Sequence, residues 1–133
     1  MSQLSVRIRK SFGGERGSLF ALDVEFSAAA GFTILFGASG AGKTTLLDCI
    51  AGLQTPETGR IAVGTNALFD SSGGVDIPPN RRAVGYLLQT LALFPHMTVA
   101  QNVQYGLDRL ERSEREARCA QVLEAFRIAA LAD

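Results

Sequence analysis

The amino-acid sequence predicts an α/β protein in which a buried strand, a glycine-rich loop and a helix follow one another. The run Phe32–Phe36 is almost continuously apolar, as is typical of a strand that is covered on both faces in a parallel sheet. The glycine-rich loop comes next, and a helix is predicted from about Lys43 to Ala51, with Gly52 at its C-cap. These three features indicate a layered sheet-and-helix core.

Apolar patterns predict the other strands. Residues 4–8 and 20–26 alternate apolar with polar side chains, which is typical of half-buried strands. Residues 84–88 form a second apolar run and are predicted to be a buried strand that ends at Gln89. Short strands are also predicted at residues 60–63 and 67–69, and a loop rich in Ser, Gly and Pro at residues 70–82.

Two helices are predicted near the end of the chain. Thr98 is followed three residues later by Gln101, and Ser113 by Glu116, and both pairs fit the capping box that begins many helices. The charged residues within 111–118 are expected to form a solvated helix face with ion pairs between residues four positions apart.

Composition describes one globular domain and excludes several kinds of partner. The chain has 133 residues, of which 47% are hydrophobic and 20% charged. Thirteen basic residues balance thirteen acidic ones and no basic stripe occurs, which argues against binding to nucleic acid. Cys49 and Cys119 match no metal-binding spacing, and Cys49 is expected to be a small buried apolar residue. Without a signal-peptide core or a long apolar span, we expect a cytosolic chain with free thiols.

Residues 37–44, the phosphate loop, read G-A-S-G-A-G-K-T and fit the P-loop pattern G-x-x-x-x-G-K-[ST]. Glycines let the backbone curl so that amide groups point inward, and the positive end of the following helix adds to the attraction for a polyphosphate. Lys43 is expected to reach the β- and γ-phosphates, Thr44 to ligate Mg²⁺ and Thr45 to bind the α-phosphate. The predicted ATP-binding residues here are Gly37, Ala38, Ser39, Gly40, Ala41, Gly42, Lys43, Thr44 and Thr45.

A later segment resembles one family that carries this loop. Arg82–Gln89, together with Leu91–Val99, is similar to the Q-loop region of ABC-transporter ATPases, particularly those of bacterial importers. Leu53–Ile61 looks like that family's turn after the P-loop helix. Among importers, the run Leu35–Leu47 most resembles the molybdate-importer ATPases, and the iron- and sulfate-importer ATPases are close.

The resemblance implies roles for residues outside the phosphate loop. Gln89 matches the catalytic Q-loop glutamine, whose side-chain oxygen can ligate Mg²⁺ or hold the attacking water. Thr90 stands where the family usually has an acidic residue, which leaves the details of that loop open. Phe12 matches the aromatic residue that stacks on adenine; Phe20 is the alternative, but its place in a strand alternation favours core packing.

The resemblance also implies a fold and partners. It implies a P-loop ATPase core sheet with a small antiparallel β portion and the start of a helical arm, so that residues 1–133 are the N-terminal part of one ATPase domain. It further implies ATP and Mg²⁺ as cofactors, a second ATPase subunit bound head to tail, and integral-membrane permease subunits as partners. The chain would then lie on the inner face of the cell membrane and couple ATP to import.

Several parts of such an ATPase do not occur in the 133 residues. The Asp-Glu pair after an apolar strand, the Leu-Ser-Gly-Gly-Gln signature and the later His would all follow Gln89. Asp70 and the Ser71–Gly74 segment imitate two of these parts, but they precede the Q-loop segment and open no helix. We therefore expect weak nucleotide binding without turnover by this chain, and exposed sheet edges that favour association.

Two other functions remain open at this level. A small P-loop kinase could use Arg81 and Arg82 to clamp phosphates, although no motif for an acceptor pocket accompanies them. A non-catalytic nucleotide-binding module would need only the phosphate loop. His96 has no acidic or cysteine partner in sequence, which favours packing in a turn over catalysis.

Overall fold

The computed structural model describes residues 3–13, 19–88 and 92–132. The chain divides into two compact units, residues 1–86 and residues 87–133. The strands are β1 Leu4–Gly13, β2 Leu19–Ala28, β3 Thr58–Val63, β4 Asn66–Asp70 and β5 Val75–Asp76. The α-helices are α1 Lys43–Ala51, α2 Val99–Gln104 and α3 Arg112–Ala125, and single 3-10 turns occupy Pro79–Arg81, Tyr105–Leu107 and Ala129–Leu131.

The first unit contains a five-stranded sheet in the order β2-β1-β3-β4-β5. Every neighbouring pair is antiparallel, and β1 pairs Leu4 with Ala28 of β2 on one side and with Val63 of β3 on the other. The alternation predicted for residues 4–8 is confirmed, because Val6 and Ile8 are buried while their polar neighbours face solvent. This sheet confirms the small antiparallel β portion of the predicted fold.

Helix α1 covers one face of the sheet. Apolar burial is the main free-energy gain of folding, so these contacts fix where the helix lies. Cys49 is completely buried, as predicted for a small apolar residue, and burial raises the pKa of its thiol, so that it stays protonated at neutral pH. The core joins the helix to four strands through Val6, Ile8, Leu22, Leu46, Cys49, Ile61, Leu68 and Phe69.

The two apolar runs predicted to be buried strands form no strand among the residues that the structure describes. Phe32, Ile34 and Phe36 are each at least 87% exposed, and Leu87 is 97% exposed. The prediction is wrong for a physical reason: a strand is buried on both faces only where other strands and helices flank it. The five paired strands of the sheet comprise other residues, and neither run pairs with them.

The second unit is helical. Thr98 and Gln101 form the predicted capping box: Gln101 N donates to Thr98 Oγ1 at 3.2 Å, and Thr98 N donates to Gln101 Oε1 at 2.8 Å. The helix predicted to begin near Ser113 is confirmed, because α3 begins at Arg112. Its predicted capping box does not form: Glu111 is the N-cap, without a side-chain hydrogen bond, and Arg115 N donates to Glu111 O at 2.9 Å. Arg112 and Glu116 form the expected ion pair at 2.9 Å. Within the described ranges, no helix is long and apolar enough to cross a bilayer.

The uncovered run 32–36 predicts self-association that a single charge should weaken. Ile34→Lys places an ammonium among fully exposed apolar side chains at the cost of no buried contact, because Ile34 is 87% exposed. The apparent mass in sedimentation velocity should therefore rise with concentration for the parent chain and much less for the variant. Phe126→Lys, at an apolar position that is 72% exposed at the C-cap of α3, is the matched control and should behave like the parent. Equal association of all three proteins would contradict this prediction.

Candidate phosphate-binding site

The phosphate loop leads directly into helix α1, and the predicted bounds of that helix are confirmed at both ends. Gly40 and Gly42 have φ values of 80° and 88°, which L-amino acids with side chains rarely adopt. Ala41 N donates to Ala38 O at 3.2 Å, and Leu46 N donates to Gly42 O at 2.9 Å as the first helical bond. The backbone path therefore requires glycine at positions 40 and 42.

The start of α1 is available to an anion. Gly42 occupies the N-cap, and in this described part of the chain no side chain caps the helix and no acidic residue lies in its first turn. The first amide groups of a helix have no intrahelical acceptor, and the aligned peptide dipoles leave partial positive charge at this end. Backbone donors without a competing carboxylate are what a phosphate group needs.

The Lys43 side chain links the two ends of the phosphate loop. Its Nζ donates to Gly37 O and to Ala38 O, each at 2.8 Å. An ammonium group has three donor positions, so these two bonds leave one for a ligand oxygen. The first half of the loop and the start of α1 are therefore held together by one cation.

Two side chains of strand β2 pack against Gly42 of the phosphate loop. A Cβ atom built on Gly42 would lie 3.0 Å from Phe20 Cζ and 3.1 Å from Leu22 Cδ1, which leaves little room for a side chain. Phe20 is 38% exposed, so the predicted core packing is only partial, and its ring lies against the phosphate loop. Sequence reasoning missed this contact because alternation along a strand does not reveal what covers its end.

Phe12 lies beside Phe20. The two residues face each other across the β1–β2 pair, with ring centroids 6.2 Å apart, and Phe12 is 36% exposed. Lys10 Nζ lies 5.3 Å from the centroid of the Phe12 ring. The structure thus brings the two candidate aromatic residues into one partly exposed pair next to Gly42, and the adenine-stacking role stays a prediction for either.

The remaining predicted site residues fall into two groups. Thr44 and Thr45 occupy the first turn of α1, with Thr44 exposed to solvent. Gln89 and Thr90 lie outside the described residues, so the role of Gln89 stays a prediction. Within the described ranges, no group of three or more His, Cys, Asp or Glu side chains could hold a metal ion.

Arg82 does not lie at the phosphate loop. Its buried guanidinium donates to Cys49 O at 2.8 Å and to Ile50 O at 3.0 Å, at the opposite end of α1. The kinase interpretation, in which Arg82 clamps phosphates, is therefore wrong for this residue. Its local sequence carries no signal for this contact, because the carbonyl acceptors lie more than 30 residues earlier in the chain.

The segments that imitate catalytic motifs are structural, as expected. Asp70 Oδ1 accepts hydrogen bonds from Ser72 N and Gly73 N, each at 3.0 Å, and the turn leads into β5 with no helix. His96 lies in a turn, and its ring packs against that of Phe94 at an interplanar angle of 67°, with the ring centroids 6.0 Å apart. This contact agrees with the packing role predicted for His96.

Comparison with known proteins places the chain in a family. The family model described as "ABC transporter" matches residues 22–133. The chain belongs to the ABC transporter family. It is 45% identical over 112 residues to the molybdenum import ATP-binding protein ModC of Rhodospirillum rubrum, a match that covers 84% of this chain and 30% of that protein.

Other ABC transporter relatives give the same picture. ModC of Brucella suis is 50% identical over 106 residues, which cover 80% of this chain and 28% of the relative. ModC 1 of Azotobacter vinelandii is 40% identical over 126 residues, which cover 94% of this chain and 34% of the relative. The chain thus spans about a third of the length of these curated relatives. The resemblance to ABC-transporter ATPases is confirmed.

The support of Gly42 by β2 predicts an unequal effect of two glycine substitutions. Gly42→Ala and Gly64→Ala both force a methyl group onto a backbone with positive φ, but a Cβ at Gly64 meets no described atom within 4 Å. We expect Gly64→Ala to lower the free energy of unfolding by about 1 kcal/mol, and Gly42→Ala by about 1–3 kcal/mol more because of overpacking. Urea denaturation measures the free energy of unfolding of both variants. Equal losses would contradict the prediction, because they would show that Phe20 and Leu22 move aside at no cost.

The hydrogen bond between Tyr86 and Asp48 predicts a stability difference that depends on pH. Tyr86 Oη donates to Asp48 Oδ1 at 2.6 Å, and this bond raises the pKa of Tyr86 above its ordinary value of 10.0. The stabilisation is complete below the ordinary pKa and is lost as the pH rises through the raised one. Tyr86→Phe should therefore destabilise the chain at pH 8 in urea denaturation, and the two proteins should converge at strongly alkaline pH. A constant difference would contradict this assignment.

Proposed function

We propose that the chain is the ATP-binding part of the energy-coupling ATPase subunit of a bacterial molybdate importer. The observation that carries the proposal is the phosphate loop at the head of α1, where the Lys43 ammonium and the uncapped backbone amides converge. Membership of the ABC transporter family supports ATP as the ligand, and the names of the ModC relatives support molybdate as the cargo.

The triphosphate fits the donors of the loop. In the proposed complex, the amide groups around Gly40 and Gly42 surround the β-phosphate, and the free donor of Lys43 binds a β- or γ-phosphate oxygen. No carboxylate in the described first turn of α1 opposes this charge. Two hydrogen bonds of Lys43 hold the loop together, so little backbone ordering would oppose binding.

Mg²⁺ also fits the chemistry of the donor set. Mg²⁺ keeps several waters and is usually bound by one or two protein ligands together with phosphate oxygens, so it does not need a cluster of carboxylates. The exposed Thr44 hydroxyl is the proposed ligand at the loop, and the Gln89 side chain is the proposed second one. The ion would neutralise phosphate charge during transfer to water.

The base of the nucleotide is assigned to the Phe12–Phe20 pair. Both rings are partly exposed, and Phe20 contacts Gly42 of the phosphate loop, so a nucleotide that fills the loop can reach the pair. Stacking of an aromatic ring on a base contributes about 1–3 kcal/mol in nucleic-acid complexes. We assign Phe12 as the stacking residue and Phe20 as its support.

Turnover requires groups beyond these 133 residues. The residues assigned here bind and orient phosphates, whereas the carboxylates, the signature sequence and the later His of an ABC ATPase are not among them. We therefore propose binding without hydrolysis by this chain. In the whole importer, a second ATPase subunit would complete the site head to tail, and permease subunits would couple its closure to transport at the inner face of the membrane.

Binding of ATP tests the proposed function. Lys43→Ala removes the cation that closes the phosphate loop, so we expect the affinity for fluorescent ATP, measured by anisotropy with Mg²⁺, to fall by at least about tenfold. Arg60→Ala is the control, because it removes the same charge from a largely exposed side chain whose ion-pair partner is Asp70 at 3.4 Å. The control should bind like the parent chain. Binding that is absent from the parent chain, or equal in all three proteins, would overturn the proposal.

A phosphate-release assay separates the two remaining alternatives. The parent chain should release phosphate from ATP no faster than Lys43→Ala does. Steady-state release that Lys43→Ala abolishes would contradict binding without turnover. Transfer of phosphate to a small metabolite would instead favour the kinase alternative.

A further inference from the structure

Arg82 is the most completely engaged charged side chain at the far end of α1. All three of its guanidinium nitrogens donate hydrogen bonds, and the side chain is fully buried in its ion pair with Asp76. The acceptors are Cys49 O and Ile50 O at 2.8 and 3.0 Å, Ile77 O at 2.6 Å, and Asp76 Oδ1 at 2.9 Å. Two acceptors belong to the last turn of α1 and two belong to the segment Asp76–Ile77.

The surroundings of the Arg82 guanidinium fit an arginine side chain and leave no room for another residue at Gly52. A Cβ atom on Gly52 would lie 2.5 Å from Arg82 Nε, so only a glycine at the C-cap admits the side chain. The other oxygen of Asp76 accepts a hydrogen bond from Thr55 Oγ1 at 3.1 Å, which orients the carboxylate. The planar guanidinium of Arg82 donates to acceptors in several directions, and the single ammonium group of a lysine cannot replace it.

A second contact ties the same helix to the same part of the chain. Asp48 lies one turn after Thr44, and its carboxylate accepts hydrogen bonds from Tyr86 Oη at 2.6 Å and from Gln54 Nε2 at 3.0 Å. An isolated helix of nine residues is marginal in water, so its position depends on such contacts. Arg82 and Tyr86 therefore hold α1 at two successive places along its length.

We infer that Arg82, oriented by Asp76, is a positioning residue for the phosphate loop. By fixing the C-terminal end of α1, it sets where the other end of this short rigid helix presents Gly42 and Lys43 to bound phosphates. This inference rests on the proposed binding of ATP. A misplacement of about 1 Å by a distant substitution can cost large factors in function. The position of the phosphate loop thus depends on a segment, residues 76–82, that does not touch the phosphates.

A role of Arg82 through its charge and a role through its position predict different effects of Asp76→Asn on nucleotide binding. Asp76 neutralises Arg82, so the pair as a whole contributes little field at the phosphate loop. If Arg82 acted through its charge, Asp76→Asn would leave the cation uncompensated and strengthen the binding of the anionic nucleotide. If Arg82 acts by position, the same substitution loosens its orientation and weakens binding. The sign of this one effect distinguishes the two roles.

The test compares nucleotide affinity with stability. A fluorescent nonhydrolysable ATP analogue with Mg²⁺ is titrated into the 133-residue chain and into four variants, each at a temperature where circular dichroism shows it to be folded. The variants are Arg82→Met, Arg82→Lys, Asp76→Asn and Leu123→Ala. Leu123 is buried in α3 and is not part of the core around α1, so Leu123→Ala lowers stability without removing a contact of that core. Lys43→Ala serves as the reference for lost binding.

The expected results follow from the geometry. Arg82→Met should weaken binding by about tenfold, Arg82→Lys should recover little of it, Asp76→Asn should weaken it less, and Leu123→Ala should leave it unchanged. The backbone amide NMR signals of Gly40 and Gly42 should move in the ligand-free Arg82 variants but not in Leu123→Ala. Should Arg82→Met fail to fold, Asp76→Asn decides, because the Asp76 side chain is 48% exposed and its loss is tolerable.

Two outcomes would overturn the inference. Unchanged affinity and unchanged Gly40 and Gly42 signals in a folded Arg82 or Asp76 variant would make the contact purely structural. Stronger binding by Asp76→Asn would assign Arg82 a role through charge. A parent chain that does not bind the analogue would refute the proposed function instead, and the NMR signals of the ligand-free variants would still test the positional link.

Discussion

The seating of helix α1 on the antiparallel sheet is the constraint on which the rest of the structure depends. Leu46 and Cys49 pack against Val6, Ile8 and Ile61, so one face of a short helix is buried in the apolar core. That burial places the helix on the sheet but is non-directional. Specific contacts at both ends define its position further: Gly42 lies on Phe20 and Leu22, and Arg82 binds the last carbonyl groups.

This arrangement explains how a loop without regular structure can form a defined anion site. The phosphate loop contributes no buried side chain of its own, and its shape comes from positive φ values at Gly40 and Gly42 and from the two bonds of Lys43. Its position comes from the helix that it begins. Local backbone geometry therefore sets the shape of the phosphate loop, and remote packing sets its position. Substitutions that affect only one of these should have effects that add.

Local patterns in the sequence predicted the local structure. The bounds of α1, the capping box at Thr98 and the alternating strands were predictable because each depends on residues within a few positions of one another. The apolar runs 32–36 and 84–88 were not, since a pattern of apolar residues indicates the capacity for burial and not the presence of covering elements. Arg82 was misinterpreted for a related reason: its acceptors at Cys49 and Ile50 are distant in sequence. In the candidate site, the motif predicted the loop, but only the structure revealed its supports.

We expect the phosphate loop to enclose the triphosphate of ATP. A crystal structure of the chain grown with Mg²⁺ and a nonhydrolysable ATP analogue tests it most directly. Phosphate oxygens should lie within hydrogen-bonding distance of Lys43 Nζ and of the backbone amides at the start of α1, and Gly40 and Gly42 should keep their left-handed conformation. Well-defined nucleotide bound elsewhere, or a phosphate loop that stays empty at saturating ligand, would contradict it.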